Sequence, residues 1–184
     1  MHDPNEMPAR LAVFLAAREP TWQDIEVTSY EVMTGGYSRL LAKAHVRHSA
    51  GDITLVLRGD PAKDQQLIET DRRQEYEVLT AVAASGVRTP LARYFDDSGA
   101  SLGTRALVMD FSTSHSLIPY AASGGSLEGL AERLAEAMAS FQSIPLAALP
   151  TVLVRPTTWE DYIASRIDEW RRTSHGHIED LPIL

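Results

Sequence analysis

An α+β fold, with a five-stranded antiparallel sheet carrying one main helix and a helical region after it, is predicted by three observations. Residues alternate with the period of a strand between Ile25 and Arg58, a capped amphipathic helix begins at Asp71, and helical spacing takes over after Ser126. The 184 residues, 44% hydrophobic and 23% charged, suit one ordinary domain or a small lobe with part of another, and exclude wholesale disorder.

The elements follow in order. Leu11, Phe14, Leu15 and Arg18 predict a short helix from about Pro8 to Arg18, ended by Pro20. Leu40, Ala42, Ala44 and Val46 alternate with Leu41, Lys43, His45 and Arg47, as in a half-buried strand. Tyr30, Val32 and Thr34 predict the strand before it, and a turn at Ala50, Gly51 and Asp52 leads into a third strand, Ile53 to Arg58. Asp71 with Gln74 caps a helix whose Tyr76, Leu79 and Ala83 form a buried stripe, with Gly86 and Pro90 as its stop. Leu91 to Asp97 and Thr104 to Phe111, around the turn Ser98 to Gly103, complete the order βββαββ. Ser123 to Ser126 reads as a flexible link. Leu127, Leu130, Leu134, Met138 and Phe141 then mark a helix. Thr157 and Glu160 form a capping box for a last helix with Trp159, Ile163, Ile167 and Trp170 along one face.

Charge and composition narrow the function. Seventeen basic against 25 acidic residues give a net charge of -8, which opposes attraction to nucleic acid or anionic lipid, so neither is expected as a partner. With no cysteine there is no disulfide, thiolate metal site or cysteine nucleophile. The apolar run Leu11 to Ala17 is too short to span a bilayer and follows Asp3 and Glu6 rather than a basic region, which points to a cytoplasmic protein.

Three features bear on chemistry. Thr34-Gly35-Gly36-Tyr37-Ser38 lies between two strands, where adjacent glycines either make an ordinary hairpin turn or bring backbone N–H groups close to an anion. Arg58 ends the apolar run Leu55, Val56, Leu57, and a guanidinium there needs anionic partners or water. Glu75 lies four residues before Leu79 and seven before Val82, so it borders the inward face of its helix, whereas Arg73 and Glu77 fit the solvated one. Singly, Arg58 and Glu75 read equally well as surface charges at element ends. In sequence order, a glycine hairpin, a cation on the third strand and a helix glutamate reproduce the arrangement of kinase nucleotide-binding lobes. His175, His177, Glu179 and Asp180 read as a solvated loop rather than a metal site, and His45 and His48 point to opposite strand faces.

Thr34-Gly-Gly-Tyr-Ser38, Leu55-Val-Leu-Arg58, Glu75-Tyr-Glu-Val-Leu79, Gly86-Val-Arg-Thr-Pro90 and Leu107-Val-Met-Asp-Phe111 together resemble the aminoglycoside phosphotransferase family, from about Ile25 to Phe141. The resemblance is nearest to the branch containing the kinase-like domains of some acyl-CoA dehydrogenase family proteins, which also use arginine where most kinases place lysine. It implies a protein-kinase-like N-lobe followed by the first helices of an incomplete C-lobe: residues 1–24 an N-terminal helix, 25–112 the nucleotide-binding N-lobe, 113–126 hinge and linker, and 127–184 a partial helical C-lobe.

By the same resemblance Gly35, Gly36 and Ser38 cradle ATP phosphates, Arg58 contacts phosphate, Glu75 orients Arg58, and main-chain groups of Asp110 and Phe111 hold the adenine. The triplet Asp110-Phe111-Ser112 directly follows a strand and is read as hinge rather than as the magnesium motif Asp-Phe-Gly. The family's His-Gly-Asp catalytic loop does not occur in the sequence, where Ser174-His-Gly-His177 places histidine at the aspartate position. The implied activity, transfer of the γ-phosphoryl group of ATP to a small-molecule hydroxyl with magnesium, therefore belongs to an intact parent, and the 184 residues alone are expected to be inactive. The competing reading is a noncatalytic nucleotide-binding or protein-interaction module, with self-association through exposed C-lobe helices.

Overall fold

In the computed structural model, which describes residues 5–33, 40–60, 71–113, 117–153 and 155–174, the first helix, α1 (Met7–Arg18), buries Met7, Leu11, Phe14 and Leu15. Their spacing places them on one side of the helix, which lies on a five-stranded sheet. The strands are β1 (Glu26–Val32), β2 (Leu40–His48), β3 (Gly51–Gly59), β4 (Ala92–Asp96) and β5 (Ala106–Asp110), all antiparallel in the order β1-β2-β3-β5-β4. The predicted α+β class and the order βββαββ are those of the structure.

Alternation divides the sheet into two faces. Ala42, Ala44 and Val46 of β2, Leu55 and Leu57 of β3, and Ala106 and Val108 of β5 pack with the apolar side of α1 to form the core. The intervening residues lie on the opposite face, where the register aligns Lys43, Val56 and Met109 across one row and Leu41, Arg58 and Leu107 across the next. The second helix, α2 (Arg72–Ala84), meets that face. Its Tyr76 ring stacks on Phe95 of β4 with centroids 5.5 Å apart, and Val82 is buried.

The local chemistry agrees with most of the sequence reading and corrects some of it. The Asp71 carboxylate accepts from the Gln74 N–H at 3.1 Å, as the capping pair requires. The buried stripe of α2 differs from expectation: Tyr76, Leu79 and Ala83 are only half-buried, while Arg72 and Val82 are the buried positions. The second hairpin is tighter than expected, because β3 already begins at Gly51, opposite His48, and only Ser49 and Ala50 make the turn. Asp96, 3% exposed, shapes the turn between β4 and β5 by accepting from the backbone N–H groups of Gly99, Ser101 and Leu102 at 2.7 to 3.1 Å.

Two α-helices follow the sheet among the described residues of the unit Met1–Pro150: α3 (Leu117–Ala122), which periodicity did not suggest, and α4 (Leu130–Gln142). Ser123 to Gly125, expected as a link, closes α3. The Gly125 N–H donates to Tyr120 O and the Gly124 N–H to Ala121 O, with Gly124 at φ +86, so the glycines terminate α3 in a Schellman motif. The next helix begins at Leu130 rather than Leu127 because Gly129, at φ +65, breaks the regular backbone before it. Leu134, Met138 and Phe141 are exposed on α4.

The unit Thr151–Leu184 contains α5 (Trp159–Ser174). Thr158 rather than Thr157 caps it, its hydroxyl accepting from the Asp161 N–H at 3.1 Å. Trp159, Ile163, Ile167 and Trp170 form the expected apolar stripe and are exposed.

Candidate functional site

The apolar run of β3 ends by delivering Arg58 to the sheet face opposite α1, beside the first turn of α2. Glu75 sits in that turn, on the side bordering the sheet, as its spacing from Leu79 and Val82 requires. Arg58 Nη1 lies 2.6 Å from Glu75 Oε1, and the two side chains are 28% and 20% exposed. A guanidinium has five N–H donors, and among the described residues only Glu75 engages this one. Arg58 is therefore oriented at one end and able to take an anion at another.

Two residues that sequence reasoning missed complete the arrangement. Arg72, fully buried, donates from Nη1 to Glu75 Oε2 and from Nε to Asp60 Oδ1, both at 2.6 Å, and from Nη2 to Gly59 O at 3.2 Å. Asp60 follows β3 directly, and its backbone is fastened by the bonds Asp60 N–H to Arg105 O at 3.2 Å and Thr104 hydroxyl to Asp60 O at 3.1 Å. The result is a chain of alternating charge, Arg58, Glu75, Arg72, Asp60, with zero net charge. The sequence holds one clue to Arg72: it lies three residues before Glu75, on the same side of the helix.

Lys43 is a second cation on this face, which the sequence reading placed on its strand but did not single out as a site residue. Its Nζ lies 4.7 Å from the centroid of the Phe111 ring, within cation–π range. Its signal was the strand alternation, which put it on the side of β2 that does not enter the α1 core.

Asp110 closes β5 and Phe111 follows it, so the expected hinge lies at the end of the last strand. The Asp110 N–H donates to Leu91 O at 2.9 Å and the Phe111 N–H to Thr54 O at 3.2 Å. These two N–H groups are committed to the protein, so a base bound at this segment would meet carbonyl oxygens or N–H groups farther along. The Asp110 side chain sits on the face shared with Leu55 and pairs with Arg93, whose guanidinium is held above its ordinary pKa by that hydrogen bond. Only the main chain of Asp110 is available to a ligand on the Arg58 face.

Gly35, Gly36 and Ser38 lie outside the described residues, as do His175, His177, Glu179 and Asp180. Arg73 pairs with Asp97, which also accepts from Arg105 Nη2 at 2.7 Å, and these contacts lower the Asp97 pKa, with Arg105 the main cause. Arg73 thus belongs to the solvated side of α2, as expected. Among the described residues no group of three or more His, Asp and Glu is placed to hold a metal ion, and no helix is long and apolar enough to cross a membrane.

No curated protein matches the sequence. Among solved structures, the chain is similar to a protein from Ralstonia eutropha JMP134 assigned as an aminoglycoside phosphotransferase, with a TM-score of 0.61 at 17% identity over 90% of this chain. The likeness shows a shared fold, and it extends over 47% of that protein, so the chain spans about half the length of its structural relative. The sequence model of the Phosphotransferase enzyme family matches residues 29–182, which include the sheet except the start of β1, the Arg58–Glu75 pair and the helices that follow. By that match the chain belongs to the phosphotransferase enzyme family.

Proposed function

We propose that this chain forms the nucleotide-binding part of an ATP-dependent small-molecule phosphotransferase. The observation that carries the reading is the Arg58–Glu75 pair, a half-exposed cation oriented by a helix carboxylate on the sheet face that α1 does not cover. ATP, when bound, supplies the γ-phosphoryl group. The γ-phosphoryl group would pass to the acceptor hydroxyl oxygen with ADP as the leaving group and release of the hydroxyl proton.

Arg58 binds phosphate oxygens through charge-assisted hydrogen bonds, and Glu75 limits the directions in which it can point. Gly35, Gly36 and Ser38 cover the phosphates, and the main chain from Asp110 onward meets the base. Lys43 adds positive charge to the same face. In this reading residues 25–112 hold the nucleotide, 113–126 form the hinge and linker, and 127–184 begin the lobe that takes the acceptor. Arg58, the exposed end of the neutral charge chain, is the cation that fits an anionic phosphate group. The described residues offer no carboxylate set for magnesium, and no step is assigned to that ion. The family resemblance further supports a cytoplasmic location and a hydroxyl-bearing acceptor.

A noncatalytic nucleotide-binding or protein-interaction module is favoured by one observation, the absence of a His-Gly-Asp triplet from these 184 residues. Calorimetric titration of MgATP into the wild-type chain and Arg58→Ala tests the shared part of both readings. Saturable binding that weakens about tenfold in the variant is expected, the scale of one lost charge-assisted contact. No binding, or equal binding by the variant, would remove Arg58 from any nucleotide site. A phosphoryl-transfer assay on a longer chain that includes a His-Gly-Asp loop then separates enzyme from module.

A further inference from the structure

Arg72 occupies the first position of α2 and has no exposed side-chain surface. Burying an arginine is strongly unfavourable unless its charge and its donors are matched. Here the matching is complete enough to hold the guanidinium from three directions: Asp60, Glu75 and the carbonyl of Gly59. Asp60 and Gly59 lie at the end of β3, two residues and one residue beyond Arg58, whereas Glu75 belongs to the helix. Arg72 therefore fastens the first turn of α2 to the strand end that carries the phosphate-facing cation.

The two oxygens of Glu75 are divided between two guanidiniums. Oε2 is taken by Arg72 and Oε1 by Arg58, each at 2.6 Å. With Oε2 held by a buried donor, rotation of the carboxylate would break that bond, and Oε1 is presented to Arg58 in one direction. Charge acts in the same sense. The four side chains sum to zero, but without Arg72 the remaining three would sum to -1 beside a site for an anion.

We propose that Arg72 is the positioning residue of the phosphate-binding site, acting on bound phosphate only through Glu75 and Arg58. The proposal rests on the nucleotide-binding reading and deepens it. It predicts that the planar fork of Arg72 matters as well as its charge, because the three acceptors are set around three separate nitrogens of the guanidinium, whereas an ammonium group donates from a single point.

The test uses the 184-residue chain with MgATP as the probe. Arg72→Lys keeps the charge and removes the fork. It should keep the wild-type backbone amide spectrum and a cooperative thermal transition while losing about tenfold in MgATP affinity. In a Glu75→Ala background the same substitution should change affinity by no more than about twofold, because no carboxylate is left to aim. Unchanged affinity in Arg72→Lys, or an equal loss in the Glu75→Ala background, would overturn the proposal.

If Arg72→Lys fails to fold, Asp60→Asn decides, since it leaves Arg72 in place and weakens only its anchor. A loss of MgATP affinity in a folded Asp60→Asn chain supports the role, and wild-type affinity overturns it. The guanidinium N–H signals of Arg58, observed by NMR without nucleotide, give a readout independent of ligand. They should be slow to exchange in the wild type and fast in whichever variant folds. If the wild type does not bind MgATP, the nucleotide reading fails by itself, and retention of slow exchange in that variant would still overturn the positioning role.

Discussion

Replacing Glu75 with alanine sets two physical effects of opposite sign against each other. Glu75 is an anion next to the proposed phosphate site, so removing it raises the local charge from zero to +1. At a separation of about 6 Å and an effective dielectric of about 20, one unit of charge is equivalent to about 3 kcal/mol of tighter phosphate binding before solvent screening. Screening reduces this, because Arg58 and Glu75 are 28% and 20% exposed. Against it stands positioning: Glu75 Oε1 is the partner of Arg58 at 2.6 Å, and without it the guanidinium regains the freedom of a long side chain. Coupling between side chains in one network is about 0.5 to 3 kcal/mol. Positioning should win, because Arg58 loses its one partner among the described residues while the charge gained is screened by solvent.

Calorimetric titration of MgATP into wild type, Arg58→Ala, Glu75→Ala and the double variant, at low and high salt, measures the balance. Each single substitution should weaken binding several-fold, and the double variant should lose much less than the sum of the singles. The Glu75→Ala loss should persist at high salt, since geometry is not screened while charge is. Tighter binding by Glu75→Ala, or additive losses across the cycle, would show that Glu75 is an ordinary charge and that the pair does not act as a unit.

Three further outcomes are expected. The 184 residues alone should transfer no phosphate from ATP to aminoglycosides, choline or hydroxyacyl-CoA, because positioning and charge neutralisation of the transferred group depend on residues they do not contain; turnover by a sample free of contaminating kinases would refute this. The Tyr94 hydroxyl, pushed up to about 12 by burial and then by its hydrogen bond to Glu19, keeps its proton in the folded state above the pH where it ionises in the unfolded chain. Its contribution to stability is thus complete below about pH 10 and lost as pH rises toward 12, so urea unfolding of Tyr94→Phe should show less alkaline destabilisation than wild type, and identical pH profiles would contradict the linkage. Leu134, Met138 and Phe141 are exposed on α4, and light scattering should detect association that Met138→Glu reduces; a monodisperse wild-type monomer at high concentration would refute it.

The elements could be read from the sequence because each depends on neighbours within one or two turns or a few strand residues. Period-two spacing identified Ala42, Ala44 and Val46 as one face of β2, the Asp71–Gln74 spacing identified a cap, and helical phase put Glu75 beside the sheet. The Arg58–Glu75 contact needed one more piece of information, the order of strands and helix, which the family resemblance supplied. Arg72 and Asp60 were beyond that reach. They are 12 residues apart in sequence, and an arginine in a first helical turn is read as solvated until the strand end that buries it is known. The same holds for Lys43, whose face follows from alternation but whose place over Phe111 depends on pairing between strands distant in the chain. Local periodicity carries the phase of a side chain about its own element. What that side chain meets is set by how elements pack, and for this site the packing turns two separate surface charges into four linked ones.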